Sequence, residues 1–371
     1  GDFNNDGKMD VLVIGVDNDG VTKPKLTAMI NTTPDLATSL SFDKYEFDVR
    51  ANSYTNMYMY KLMCKDMDGD GKPDAVFDTY PSNANGSVPI LYVMLNKSSQ
   101  DNIKFDLANE FSSVSNMGVF DIADFNNDGL NDIIYNYGYN PSNYNGFLLI
   151  NQSTVGNMAF NTAMTLNGTA PFWSIKATDF DNDGKMDYVS TNPYSGILYT
   201  NRNNFSGGSI SASSFGTLTN IGYCGDVIGV TTGDINNDGF IDIIGTDYSN
   251  YSYFRVYQSL GTNTAGSFTA NDITYDGRAY SGVRQQQVSA FDLNNDGKME
   301  IIGKQMGSIT VMENNCFTEE SGFILTQQPS TTITGTGTFA QQPILQLKDG
   351  YGNNISKSGI SVSASIFRGN G

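Results

Sequence analysis

The 371-residue chain has no histidine, three cysteines and only 21 lysines and arginines against 39 aspartates and glutamates. Without histidine there is no Ser-His-Asp or Cys-His catalysis, and no His-ligated zinc site. A formal charge of −18 repels the phosphate backbone, so no nucleic-acid partner is expected. Cys64, Cys224 and Cys316 are odd in number. They read as small buried apolar side chains, unless two distant segments bring Cys64 and Cys224 together, and no base accompanies them to activate a thiolate. Convincing helical periodicity is missing from every window of about 11 residues or more, and no membrane insertion is expected within this stretch. The length allows two or three domains with a sizeable core.

What is present is a recurrent acidic pattern, Asp-x-[Asp/Asn]-x-Asp-Gly-x-x-[Asp/Glu]. It reads DFNNDGKMD from Asp2, DMDGDGKPD from Asp66, DFNNDGLND from Asp124, DFDNDGKMD from Asp179, DINNDGFID from Asp234 and DLNNDGKME from Asp292. These six windows hold twenty of the acids and four lysines, and so account for −16 of the −18. The rest of the chain is close to neutral. Such spacing suits calcium, a hard cation that takes about six to eight oxygens from a short loop. Positions 1, 3 and 5 turn carboxylate or amide oxygens inward, Gly at position 6 permits the tight turn, position 7 can offer its carbonyl, and the acid at position 9 closes the shell. Magnesium wants a smaller octahedral cage, and softer metals want His or Cys, which the windows lack. About six bound calcium ions are expected, one per loop.

An EF-hand is excluded, because it needs a bidentate Glu at position 12 between flanking helices. Here that position is Val13, Phe77, Tyr135, Ser190, Gly245 and Gly303. Dockerin loops are followed by a helix and lie closer together. In this chain each loop instead runs into a short β-branched or aromatic run, such as VLVIG, AVF, DIIY, DYVS, DIIG and EIIG, predicted to be a buried strand. The loops recur at intervals of 55–64 residues, the length of one supersecondary unit of a repeat architecture. Around each loop the order is constant: an apolar lead-in, the loop, a buried strand, a Tyr/Asn/Gly/Pro turn, a second strand typically finishing at Asn (LTAMIN, ILYVMLN, FLLIN, GILYTN), and a weaker fourth strand (YEFDV, IKFDL). The predicted fold class is all-β, a β-propeller of four-stranded blades.

The six loops in strand–loop–strand context resemble the FG-GAP/VCBS repeats of integrin α-subunit propellers and of secreted bacterial surface proteins, over roughly residues 1–315. In that family the loop joins the first two strands of a blade. The resemblance implies metal ligands at positions 1, 3, 5, 7 and 9 of each window. In the first loop these are Asp2, Asn4, Asp6, Lys8 and Asp10; in the second, Asp66, Asp68, Asp70, Lys72 and Asp74. The third offers Asp124, Asn126, Asp128, Leu130 and Asp132, and the fourth Asp179, Asp181, Asp183, Lys185 and Asp187. The fifth offers Asp234, Asn236, Asp238, Phe240 and Asp242, and the sixth Asp292, Asn294, Asp296, Lys298 and Glu300. Asn at position 3 in four loops lowers the ligand charge, and Glu300, longer by one methylene, is expected to close its loop differently. The chain opens inside a loop with the first strand of that blade missing. Seven blades are expected in the parent protein, with six as the alternative.

After a linker at 316–324, residues 325–371 carry alternating strands (ILQLKD, ISVSASI) and turn chemistry (DGYGNN). This stretch resembles the N-terminal part of a bacterial Ig-like domain, shorter than the roughly 100 residues of a full sandwich. The turns after the loop strands concentrate Tyr80, Tyr137, Tyr139, Tyr144, Tyr194, Tyr248 and Tyr251. In a propeller these turns gather opposite the calcium loops, where Tyr with Asn and Ser suits a sugar or protein site; the alternative is that turns simply favour such residues. The expected function is a non-catalytic, calcium-stabilised adhesion or recognition module of a secreted or cell-surface protein, binding a glycan or protein ligand on a cell or matrix surface. The alternatives are a spacer in a large adhesin and a propeller-scaffold polysaccharide lyase or hydrolase.

Overall fold

The computed structural model describes residues 1–16, 24–35, 37–49, 57–81, 90–112, 119–136, 146–166, 174–192, 195–223, 227–247, 253–259, 268–274, 287–294, 297–305, 308–314, 320–328, 341 and 343–349. Among the described residues the one helical element is a 3-10 turn at Ala212–Ser214, and all others are strands. No helix is long and apolar enough to cross a membrane.

The strands pair in chain order into successive antiparallel meanders. The first sheet contains β1 (Val11–Val16), β2 (Pro24–Asn31) and β3 (Phe42–Asp48). The second contains β4 (Met57–Lys65), β5 (Asp74–Pro81), β6 (Ile90–Asn96) and β7 (Phe105–Ser112). The third contains β8 (Phe120–Ala123), β9 (Asp132–Asn136), β10 (Gly146–Leu149) and β11 (Met164–Leu166), and the fourth β12 (Ser174–Thr178), β13 (Asp187–Asn192), β14 (Ile197–Asn201) and β15 (Thr219–Tyr223). The fifth is β16 (Val227–Gly233), β17 (Asp242–Asp247), β18 (Tyr253–Ser259) and β19 (Phe268–Thr274), and the sixth β20 (Gln287–Phe291), β21 (Glu300–Gln305) and β22 (Ser308–Met312). In sheets two to six the acidic loop links the first strand to the second; in the first sheet it runs directly into β1.

The sheets stack face to face, and this explains the unbroken apolar runs. Alternate residues of a strand point to opposite faces, so a strand covered on both sides must be apolar at every position. Every residue of β6 is buried. Ile90, Tyr92 and Met94 join Leu26, Ala28 and Ile30 of β2 in one core, whereas Leu91 and Val93 join Phe120, Ile122 and Ile133 in the next. Three further cores lie between sheets three and four, four and five, and five and six. The end sheets differ: Val11 and Val13 on β1, and Ile309 and Val311 on β22, stay exposed. Among the described residues no closed ring is seen.

The first strands stand beside one another, and polar side chains tie each to the next. Lys61 Nζ on β4 donates to the Phe120 carbonyl on β8. The Ala177 N–H on β12 donates to Asp121 Oδ2 at 2.7 Å, and the Val230 N–H on β16 donates to Ser174 Oγ at 3.1 Å. These bonds occupy backbone groups that a sheet edge would otherwise leave unpaired. Buried Asp121 lies between Lys61 (3.9 Å) and Lys176 (3.4 Å). Burial lowers the Lys61 pKa, and Asp121 opposes the shift.

Beyond the stack, β23 (Glu320–Gln327) pairs antiparallel with β24 (Ile344–Asp349). β23 begins inside the 316–324 stretch expected to be a linker. Its backbone lies in register with β24, Phe323 opposite Leu347, Ile324 opposite Gln346 and Leu325 opposite Leu345. The ISVSASI segment lies outside the described residues.

Candidate metal centres

Loops one to five share one backbone course, because their sequences place two residues that tolerate the left-handed region at positions 4 and 6. Gly at position 6 has φ between +83° and +90° in all six loops (Gly7, Gly71, Gly129, Gly184, Gly239, Gly297). Position 4 is also left-handed: Asn5, Gly69, Asn127, Asn182 and Asn237 have φ between +55° and +80°. Asn and Gly are the residues that tolerate this region. The position-4 requirement was visible as an Asn or Gly in every window, although the ligand spacing alone does not reveal it.

The double reversal turns backbone N–H groups onto the carboxylates. The position-1 Asp accepts the N–H of the position-6 Gly through Oδ2 at 2.7–2.8 Å in all six loops. Its Oδ1 accepts the position-5 N–H at 3.0–3.2 Å in loops one, three, four and five, and the Gly69 N–H in loop two at 2.8 Å. Position-5 Oδ1 accepts the position-7 N–H at 2.8–3.0 Å in loops one to five, from Lys8, Lys72, Leu130, Lys185 and Phe240.

Position 9 is the buried anchor. Asp10, Asp74, Asp132, Asp187, Asp242 and Glu300 are all buried. One oxygen of each accepts the position-2 N–H at 2.7–3.3 Å. In loops one to five the other oxygen accepts an N–H at the end of the sheet's next strand, from Asn31, Asn96, Asn151, Asn203 or Ser259, at 2.7–2.9 Å. Burial pushes the Asp74, Asp132 and Asp242 carboxyls up to about 7 and Asp187 up to about 8, against the pull of those backbone donors. Glu300 makes only the first of these bonds, and its Oε1 is buried without a hydrogen bond. The sixth loop therefore closes differently, as the longer side chain suggested.

Among the described residues, three carboxylates converge in each of the two loops with Asp at position 3. Oxygens of Asp66, Asp68 and Asp74 lie within 4.8 Å of one another, as do those of Asp179, Asp181 and Asp187. These trios are positions 1, 3 and 9; the position-5 residues Asp70 and Asp183 are not part of them. Where position 3 is Asn, its Nδ2 donates to position-5 Oδ2 at 2.8–3.0 Å, from Asn4 to Asp6, Asn126 to Asp128 and Asn236 to Asp238. Asn4 Oδ1 is buried and accepts no hydrogen bond. A set of oxygen-only donors, some buried and short of a partner, fits a hard divalent cation. Of the sixth-loop residues, Asp296 lies outside the described residues.

Neighbouring repeats meet at the loops. The position-2 side chains Phe3, Met67, Phe125, Phe180 and Ile235 plug the cores between successive sheets, while Leu293, at the end of the stack, is exposed. The strand-end Asn of the following repeat reaches back to the position-2 carbonyl. Asn96 Nδ2 donates to Phe3, Asn151 to Met67, Asn203 to Phe125 and Asn314 to Ile235, at 2.7–2.9 Å. Position 4 adds a second link, from Asn127 Nδ2 to the Gly184 carbonyl (3.1 Å) and from Asn182 Nδ2 to the Gly239 carbonyl (2.9 Å). The only sequence signal for the strand-end link was an Asn that recurs where the second strand finishes.

Of the tyrosines expected on the opposite side, Tyr137, Tyr139, Tyr144, Tyr194, Tyr248 and Tyr251 lie outside the described residues, and Tyr80 is placed only as part of β5. Cys224 and Cys316 also lie outside them, and Cys64 is a free thiol that burial pushes up to about 11. No curated protein matches the chain. The family model for the FG-GAP-like repeat matches residues 124–190, 179–245 and 234–303. Each match begins at the first Asp of a loop and runs through the next one, so the chain carries three FG-GAP-like repeats across its third to sixth loops.

Proposed function

We propose that this chain is a calcium-stabilised, non-catalytic recognition module of a secreted or cell-surface protein, built as an FG-GAP β-propeller and followed by the start of an Ig-like domain. The observation that carries the metal is the convergence of the Asp66/Asp68/Asp74 and Asp179/Asp181/Asp187 carboxylates within 4.8 Å, in sites with no nitrogen or sulfur donor. Calcium would be held by positions 1, 3 and 9, with further oxygens from positions 5 and 7. When bound it neutralises the clustered charge and cross-links the loop to the strand ends. Asp10, Asp74, Asp132, Asp187, Asp242 and Glu300 pin the loop to its sheet, and the strand-end Asn residues join it to its neighbour.

The propeller reading is supported by meanders stacked in chain order with their first strands adjacent. It is also supported by the apolar faces left exposed on the first and sixth sheets, which further blade surface would cover. A ring of seven blades, or of six, is the closed form that such a stack would build. Recognition is assigned to the Tyr-rich connections between the second and third strands of the sheets, Tyr137 and Tyr194 among them, because amphipathic rings suit a glycan or protein surface. The chain contains no histidine, and its acids are committed mainly to the loops, which is why it is read as a binder and not as a lyase or hydrolase.

The test of the metal is thermal unfolding of the full chain in excess chelator and then in calcium: a large fall in Tm restored by calcium supports the reading, and an unchanged Tm rejects it. Glycan-array or pull-down binding that survives Tyr137→Ala and Tyr194→Ala counts against the proposed face. Polysaccharide turnover by the purified chain would replace the module with an enzyme.

A further inference from the structure

We propose that Arg202 is an internal counter-cation of the fourth loop, holding its acids when calcium is scarce and yielding to calcium when it binds. This inference rests on the calcium reading above. It follows from a contrast between two loops with the same ligand set. Loops two and four each place Asp at positions 1, 3, 5 and 9, and in each the oxygens of positions 1, 3 and 9 converge. In loop two, Lys72 turns away, donating from Nζ to the Ser98 carbonyl at 2.8 Å. The salt bridges among the described residues include none to Asp66, Asp68, Asp70 or Asp74.

Loop four is different. Arg202 Nε stands 2.5 Å from Asp181 Oδ2, and its Nη2 is 3.0 Å from Asp183 Oδ2. Lys185 Nζ is 2.8 Å from the same Asp183 oxygen. Asp181 is only 2% exposed, and neither its Oδ2 nor Arg202 Nε makes a hydrogen bond. The Arg202–Asp181 contact is therefore one of charge without good hydrogen-bond alignment. The guanidinium lies against the position-3 and position-5 carboxylates, and with Lys185 it sets two positive charges beside the four acids of the loop.

The backbone keeps Arg202 beside the loop. The next residue, Asn203, donates its N–H to Asp187 Oδ1 at 2.7 Å and its Nδ2 to the carbonyls of Phe125 (2.8 Å) and Met186 (3.1 Å). The Arg202 side chain is 34% exposed, so it can swing toward solvent without unmaking that anchor. Calcium entering loop four must displace a tethered cation, whereas calcium entering loop two displaces none. The fourth loop, with as many acids as any, becomes the weakest of the four-acid sites and the one least dependent on calcium for its order.

The experiment compares the wild-type chain, Arg202→Gln and Arg202→Lys by calcium titration calorimetry and by thermal melts in chelator. The expectation is that Arg202→Gln tightens one resolvable site, that of the fourth loop, by about tenfold or more, since a unit charge next to the ligands is removed, and lowers the Tm in chelator. Arg202→Lys should stay near wild type in both. A purely structural arginine would weaken calcium binding and stability together, so opposite signs identify a competitor. Unchanged site affinities in Arg202→Gln, or a weakening of them, overturn the proposal and leave the calcium reading standing. Calcium binding by none of the three proteins overturns both.

Discussion

Loops two and four meet the same electrostatic problem with different partners. Both gather four aspartates around a left-handed turn. In loop two, Asp68 Oδ2 accepts the Gly156 N–H at 2.6 Å from the connection after β10, so a neighbouring repeat supplies a neutral donor. In loop four the corresponding Asp181 faces Arg202 from its own repeat. If the loops hold calcium as proposed, acid count alone does not rank these two: a neighbouring backbone dipole leaves room for a cation, whereas a fixed positive charge competes with one.

The largest expected effect is calcium removal. Each site filled at about 1,000 times its Kd contributes about 4 kcal/mol, so chelation should lower the Tm by more than about 10 °C. Hydrogen exchange of peptides covering 66–74 and 179–187 should then show loop two opening first, and simultaneous opening would break the contrast. Next in size are Asp74→Ala and Asp187→Ala. Each removes both acceptors of a buried backbone pair and should cost about 3–5 kcal/mol in denaturant unfolding, by equal amounts, because the anchor is common to both loops.

A smaller effect, of about 2 kcal/mol for each carboxylate, concerns pH. In the folded chain burial pushes the carboxyls of Asp74, Asp132 and Asp242 up to about 7 and that of Asp187 up to about 8, well above the ordinary carboxylate range. Between about pH 4 and 7 the folded chain thus binds more protons than the unfolded chain, and its calcium-free stability falls as pH rises through that window. Melts in chelator should therefore show a higher Tm at pH 5.5 than at 7.5. In saturating calcium that gain should vanish or reverse, because protons then compete with the ion. The smallest effect is Asn151→Ala, at about 1–2 kcal/mol, seen as faster exchange around Met67 in loop two with loop four unaffected.

The sequence made the loops legible because ligand spacing is local: positions 1, 3, 5 and 9 lie within nine residues and repeat six times. The strands were equally plain, since a run such as ILYVMLN must be covered on both faces. The links between repeats were not, because their partners are distant in the chain. Asn96 meets Phe3 across 93 residues and Asn151 meets Met67 across 84, and nothing in either neighbourhood points to the other. Arg202 escaped for a related reason. It lies 19 residues past Asp183, on a strand end whose other repeats place Ile30, Leu95 and Ile150 before the same Asn. Position 5, expected as a ligand, also accepts through Oδ1 the N–H two residues on, a local preference of Asp in turns that the ligand spacing does not reveal.

The central claim is that these acids exist to hold calcium. Isothermal titration of the chelator-stripped, dialysed chain with calcium tests it most directly. The account predicts saturable binding of about six ions, with a rise in Tm that magnesium reproduces only weakly. No binding heat and no change in Tm would contradict it.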